Sequence, residues 1–168
     1  MPKLTQSKLR EVLSYDPETG VFLWLVAPNR RFRVGTRAGG IYRVGYRYIN
    51  LFRRAYLEHR LVWLYVHGEW PVSDIDHINR DPLDNRLANL RVATRSENNA
   101  NTGLRRNNTS GFKGVSFHKK AGRWQARMTV NGRGRSLGLY ATPEAAHAAY
   151  AAAAQTVHGE FAYRGGQS

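Results

Sequence analysis

Cysteine is absent from this 168-residue chain, which excludes a disulfide scaffold, a thiol nucleophile and any zinc site built on cysteine ligands. Acids are scarce: 12 Asp and Glu stand against 26 Lys and Arg, a formal net charge of +14. That balance calls for a polyanionic partner, either nucleic acid or an anionic membrane surface. Long apolar runs are missing too. No stretch of about 18 apolar residues exists to span a bilayer, and the opening MPKLTQSKLREVL lacks the apolar segment of a secretion signal. What is present, 42% hydrophobic residues with four Trp and nine Tyr, argues against global disorder. The expectation is a soluble, intracellular, strongly basic protein of one compact domain or two small ones.

The charge is unevenly spread. Residues 1–58 carry 11 basic and 4 acidic side chains, a net of +7, and residues 105–168 carry 10 and 2, a net of +8. Between them, residues 59–104 carry 5 basic and 6 acidic, a net of −1. A protein that only coats nucleic acid has little use for acids in its centre. A site for a hard divalent cation does, because such cations take oxygen ligands.

Thr5 can cap a short helix over 5–13, with Leu9, Val12 and Leu13 on one face. The turn cluster Tyr15–Gly20 follows. Strand-like runs at 21–26, 40–43, 46–52 and 55–57 read as one antiparallel meander, with tight reversals at Gly45 and at Arg53-Arg54. Arg30, Arg31, Arg33, Arg37, Arg43, Arg47, Arg53 and Arg54 decorate it beside Tyr42, Tyr46 and Tyr48, a pattern suited to phosphate contact. Residues 58–67 have helical spacing of apolar side chains, with a stop at Gly68. His59 is read as packing in the core and His67 as ending that helix, where a basic residue suits the dipole.

The centre concentrates the chemistry. Asp74–His77 favours a strand, the polar segment 79–89 with Pro82 is a loop, and Leu90–Ala93 can return as a second strand. Thr94 and Glu97 then form a capping box that starts a helix. Asn98, in its first turn, follows Asp76 by 22 residues. A short ββα unit could bring the two together. An Asp carboxylate and an Asn carbonyl oxygen are hard ligands, and Mg²⁺ takes few protein ligands besides substrate phosphate. A neighbouring histidine such as His77 can deprotonate a water. Together they describe phosphodiester hydrolysis. The Asn89 amide can bridge backbone groups across the long turn. Asn98 and Asn99 compete for the ligand position, since helix phase favours neither strongly.

The segments His59-Arg60-Leu61-Val62, Asp76-His77-Ile78-Asn79, Asp84-Asn85-Arg86, Asn89-Leu90-Arg91 and Glu97-Asn98-Asn99 together resemble the HNH motif of phage and intron-encoded homing endonucleases. The resemblance implies a ββα-metal (His-Me finger) centre with His77 as general base, Asn89 as the middle residue, and Asp76 and Asn98 as metal ligands. The motif's last letter is Asn here rather than His, and the zinc-binding cysteines of other branches are missing. The implied cofactor is Mg²⁺, with Mn²⁺ as the alternative and no structural zinc.

Residues 103–110 are polar, basic and open with Gly103, and 105–110, with Arg105 and Arg106, are read as a linker able to follow a duplex backbone. Beyond it come strand-like runs at 114–119, 123–130 and 134–140, with turns at Ala121-Gly122 and Asn131-Gly132. Thr142, Pro143 and Glu144 open a helix that stops near Gly159. Val115, Phe117, Trp124, Ala126 and Met128 alternate onto the face expected to meet this helix. Ser116, His118, Gln125, Arg127 and Thr129 alternate onto the other, which a duplex groove could receive. Gly114-Val115, Arg123-Trp124-Gln125-Ala126, Leu137-Gly138, Tyr140-Ala141-Thr142, Glu144-Ala145-Ala146, Ala149-Tyr150 and Gly159 resemble the ethylene-response-factor (Apetala-type) DNA-binding domain. That resemblance implies a three-stranded antiparallel sheet on one helix, with Lys113, Ser116, His118, Arg127 and Thr129 at DNA-contacting positions.

The expected fold is α+β in four parts: a basic β-rich region (1–58), the ββα-metal nuclease core (59–104), the linker (105–110) and the sheet-plus-helix module (111–168). The expected function is metal-dependent cleavage of double-stranded DNA by a monomer that nicks one strand, in the cytoplasm of a bacterial host. The alternative is a DNA-binding regulator with an inactive centre. RNA binding is disfavoured because the aromatics Phe117 and Trp124 phase with the core face. Membrane binding is disfavoured because the alanine-rich helix carries no Lys or Arg.

Overall fold

The computed structural model describes residues 3–43, 45–104, 107–130 and 132–163; Arg105, Arg106 and Asn131 lie outside them. The chain divides into two compact units, Met1–Val92 and Ala93–Ser168. The division falls inside the 59–104 segment because the helix after Thr94 makes its contacts with the C-terminal helix. The architecture is α+β, with four small sheets among the described residues.

In the first unit, helix α1 (Gln6–Val12) is capped by Thr5, whose hydroxyl accepts from the Lys8 amide. The chain leaves it directly into strand β1 (Leu13–Asp16), which pairs antiparallel with β2 (Val21–Trp24). Here the expected single meander is corrected. The 21–26 run is half of a hairpin with residues read as helix end and turn, and its other edge bridges the segment that precedes the next sheet, Leu23 to Arg37. That next sheet runs β3 (Gly40–Ile41), β4 (Arg47–Leu51) and β5 (Arg54–Leu57). The β4–β5 reversal is made by Phe52 and Arg53, both at positive φ (50° and 65°), so Arg54 opens β5 instead of turning.

Helix α2 (Glu58–His67) ends at Gly68, which takes the left-handed conformation (φ 81°) that a side chain resists. Strand β6 (Asp74–His77) pairs with β7 (Leu90–Ala93). Leu9, Leu13, Phe22, Ile49, Leu61 and Leu64 are fully buried in the core of this unit, each contributing about 1.5–3 kcal/mol relative to exposure. The core therefore joins α1, both hairpin strands, β4 and α2 beneath β6.

In the second unit, helix α3 (Arg95–Asn101) carries the complete capping box: Thr94 accepts from the Glu97 amide, and the Glu97 carboxylate accepts from the Thr94 amide. Strands β8 (Val115–His118), β9 (Arg123–Val130) and β10 (Arg133–Tyr140) form an antiparallel sheet with β9 central. Helix α4 (Pro143–His158) packs on it, and Thr142 accepts from the Ala145 amide as its cap. Ala146, Tyr150, Ala154 and His158 line the buried stripe at i, i+4 spacing. The approach is close enough that a Cβ on Gly114 would clash with the Tyr150 ring. Val115, Ala126 and Met128 are buried beneath the helix, whereas Phe117 is 49% exposed. Phe117 shares their face, paired across from Trp124, so its expected burial against the helix is corrected: it flanks the Trp124 ring at the edge of that core.

Candidate functional site

Strand alternation decides what surrounds the central pair. Asp76 and His77 are adjacent on β6 and both buried, so they face opposite sides. Asp76 Oδ2 accepts from two Arg91 nitrogens on β7, at 2.8 and 2.9 Å. This forked pair sets the carboxylate's orientation.

His77 faces a polar and aromatic cluster. Its Nε2 lies 3.0 Å from Asn85 Oδ1. The His59 ring meets it edge-on, with centroids 5.1 Å apart, and Tyr46 lies against both rings. His59 is buried as expected, and that burial, with the nearby His77 and Arg60 charges, pushes its imidazole down to about 3. His59 is therefore a neutral neighbour of His77 near pH 7.

Behind Asn85 lies Glu58, the first residue of α2 and fully buried. Arg47 Nε donates to Glu58 Oε2 at 2.9 Å, and Arg37 stands 3.9 Å from Oε1. Burial pushes the Glu58 carboxyl up, while Arg47, Arg37 and a side-chain hydrogen bond from Asn85 oppose that rise. Asn85 Nδ2 and Glu58 Oε1 nevertheless each lack a partner at ordinary hydrogen-bond geometry, so the amide acts on the carboxylate at longer reach.

The backbone of Asn85 is anchored by the β1–β2 hairpin. Tyr15 Oη donates to the Asn85 carbonyl at 2.9 Å. Gly20, at φ +70°, comes so close that a Cβ there would lie 2.5 Å from the Asn85 carbonyl carbon.

Asn89 stitches the loop between β6 and β7. Its Oδ1 accepts from the Asn79 amide at 2.9 Å, and its Nδ2 donates to Asn79 Oδ1 and to the Asp84 carbonyl at 3.0 and 2.8 Å. Asn79 also donates to Asp84 Oδ2, and Arg86 beside it holds the Asp84 carboxyl down at about 2. Asn98 belongs to the second unit, half-buried on α3, whereas Asn99 is exposed. Among the described residues no three His, Asp or Glu gather as a metal cluster.

The basic residues sort by exposure. Arg30, Arg31, Arg33, Arg37, Arg43, Arg53 and Arg54 are exposed. Arg47 is not: it is turned inward to Glu58, which removes it from the surface expected to meet phosphate. Lys113 is likewise committed, its Nζ donating to the carbonyls of Asn99, Ala100 and Thr102 and so capping the end of α3. On the sheet face away from α4, Ser116, Arg127 and Thr129 are exposed and Gln125 is half-buried. The Arg127 guanidinium lies over Gly134, where a Cβ would be 2.4 Å from it. His118 is half-buried and accepts from the Ala121 amide, closing the β8–β9 turn.

Sequence reasoning missed Arg123, exposed on this same face opposite His118; strand alternation carried that signal. It assigned no role to Arg91, Glu58 or Asn85, whose importance comes from burial.

Residues 56–100 match the model of the HNH endonuclease family, and residues 110–160 match that of the AP2 domain. Protein 3.8 of Escherichia phage T7 is 39% identical over 83 residues, a stretch covering 49% of this chain and 69% of the phage protein. No solved structure matches significantly. With Asp76 and His77 on β6 inside the matched segment, and a three-stranded sheet on one helix in the second unit, the chain belongs to the HNH endonuclease family and carries an AP2 domain C-terminal to its HNH segment.

Proposed function

We propose that the chain is a metal-dependent DNA endonuclease that nicks one strand of a duplex as a monomer, in the cytoplasm of a bacterial host. The observation that carries the reading is His77, buried at the end of β6 inside the HNH segment, with one ring nitrogen held 3.0 Å from the Asn85 amide. A general base needs an imidazole of fixed orientation and tautomer, and the other nitrogen then takes the proton from the attacking water.

HNH nucleases generally use a divalent metal, and the donor chemistry here suits one. A carboxylate and an amide oxygen, without sulfur, are the hard donors that Mg²⁺ or Mn²⁺ accepts, and Mg²⁺ needs only one or two of them from protein. Asp76 would hold the cation together with Asn98. A cation so held supplies charge stabilisation for the phosphate and its departing 3′ oxygen. Arg91 fixes the Asp76 carboxylate in advance, and Asn89 fixes the loop that joins β6 to β7. The ββα-metal reading of β6, β7 and α3 follows the same assignment.

For addressing, the exposed sheet face with Ser116, Gln125, Arg127 and Thr129, extended by Arg123, is the proposed base-reading surface. The exposed arginines of residues 30–54 supply sequence-independent phosphate contacts. Arg105 and Arg106 belong to this proposal by sequence alone.

The test is a supercoiled plasmid incubated with the protein and Mg²⁺, compared with EDTA. Open circles that accumulate only with the cation support the reading. Duplex binding without any strand break would instead favour a DNA-binding regulator.

A further inference from the structure

We infer that Gly134 fixes where the Arg127 guanidinium stands on the exposed sheet face, and thereby which base pair that guanidinium reads. The inference rests on the proposed base-reading role of this face. It adds a positioning residue that works by having no side chain.

The register places the two residues. Between β9 and β10, Arg127 stands opposite Ser136 and Thr129 opposite Gly134. Directly paired residues of an antiparallel sheet share a face. Gly134 and Ser136 therefore lie on the face of Arg127, with Gly134 as its diagonal neighbour. Arg133 and Arg135 pair with Val130 and Met128 and so alternate to the other face. The floor beside Arg127 on β10 is one glycine and one serine, both exposed.

Arg127 occupies that floor. A Cβ built on Gly134 would lie 2.8 Å from Arg127 Nε and 3.0 Å from its Cζ, well inside the roughly 3.5–4.0 Å at which nonbonded carbon atoms settle. The guanidinium thus lies across β10 instead of standing off the sheet, as strand side chains ordinarily do. Neighbouring strands are about 4.8 Å apart, and successive base pairs rise by about 3.4 Å. Lifting the side chain off β10 would shift its donors by more than one base-pair step. No Asp or Glu occurs in β8, β9 or β10, so no carboxylate of the sheet holds the guanidinium there. The space over Gly134 is what admits it.

Gly134→Ala tests this with little risk to the fold. Gly134 is not at positive φ, so alanine suits its backbone, and the atoms that the new methyl would meet are the flexible end of Arg127. The variant should keep a thermal midpoint at or above that of the wild type while displacing the guanidinium. The full chain, kept in EDTA so that binding is read without cleavage, is used to select from a pool of duplexes with a randomised central segment.

The wild-type protein is expected to enrich a site with one base pair whose preference depends on Arg127, as shown by its loss in Arg127→Ala. Gly134→Ala should weaken the preference at that same pair by about 5- to 150-fold, with affinity for random duplex within about twofold. The double variant should lose no more than Arg127→Ala alone, because both changes remove one contact. A Gly134→Ala variant that keeps the wild-type preference at that pair overturns the inference, as does a loss spread evenly over the whole site. So does a DNA-free wild-type protein that shows no nuclear Overhauser contact between the Arg127 δ-hydrogens and Gly134. A wild-type protein that shows this contact but enriches no sequence would contradict the base-reading face itself and leave the Arg127–Gly134 arrangement standing.

Discussion

Arg47 and Arg54 lie on neighbouring strands of one sheet yet face different surroundings: Arg54 is exposed, and Arg47 is turned onto the fully buried Glu58. Removing one partner of a buried ion pair leaves an uncompensated charge. Arg47→Ala should therefore destabilise the first unit by about 3–5 kcal/mol, whereas Arg30→Ala should stay within about 0.5 kcal/mol. Urea denaturation checks both; equal small losses would mean that Arg47 is a surface residue after all. His59 makes a second prediction at this scale. Its folded-state value of about 3 lies below the usual histidine value of 6.5, so the unfolded chain binds a proton that the folded chain refuses. This contribution is neutral above pH 6.5, and stability is lost as pH falls from 6.5 toward 3, by up to about 1.4 kcal/mol per pH unit. His59→Leu should flatten that part of the stability–pH curve, as measured by urea titrations at pH 7 and 4.5. An unchanged slope would show that the ring takes its proton without cost.

The β4–β5 hairpin turns on Phe52 and Arg53, both at positive φ, where two-residue turns favour Asn-Gly. Left-handed conformations cost non-glycine residues about 1–2 kcal/mol each. Replacing Phe52-Arg53 by Asn-Gly should raise stability by about 1–2 kcal/mol, with the thermal midpoint as readout; a lowered midpoint would mean that Phe52, 49% exposed, is held by contacts worth more than the strain. This turn also shows where sequence reading fails. Elements with local chemistry were legible: the Thr94–Glu97 capping box, the Thr142-Pro143 helix start, the glycine stop of α2 and the strand that ends in Asp76-His77. The reversal between β4 and β5 was read one residue late, at Arg53-Arg54, because neither Phe52 nor Arg53 advertises positive φ. Strand β1 was hidden because Ser14, Tyr15 and Asp16 run straight into turn residues, and its pairing with β2 is a tertiary choice. Glu58 and Asn85 look like a helix first-turn acid and a loop amide. Only burial in one cluster gives them a bearing on His77. Arg47 and Lys113 read as surface cations for the converse reason, since nothing local shows that Glu58 or the end of α3 will claim them.

At the scale of the whole molecule, charge and chemistry are separated along the chain: the near-neutral segment 59–104 holds Asp76, His77 and Asn98, and the basic segments flank it. No helix among the described residues is long and apolar enough to cross a membrane. Because α3 packs with α4, a chain cut at Gly103 would strip the helix that carries Asn98 of its support, so point changes separate address from cutting more cleanly. Arg127→Ala should cost about 1–3 kcal/mol on the preferred duplex if the guanidinium reads a base edge. Each lost phosphate contact among the exposed arginines of 30–54 should instead flatten the salt dependence of log K by about 0.9 on every sequence. Binding titrations at several salt concentrations on specific and random duplexes distinguish the two, and an Arg127→Ala loss equal on both duplexes would remove the sheet from the base-reading role. The most direct test of the account is nicking of supercoiled plasmid in Mg²⁺ by the wild-type protein and by His77→Ala, with duplex affinity measured alongside. The account predicts a rate lower by about 10²–10⁴ in the variant at nearly unchanged affinity; open circles formed by His77→Ala at the wild-type rate would contradict it.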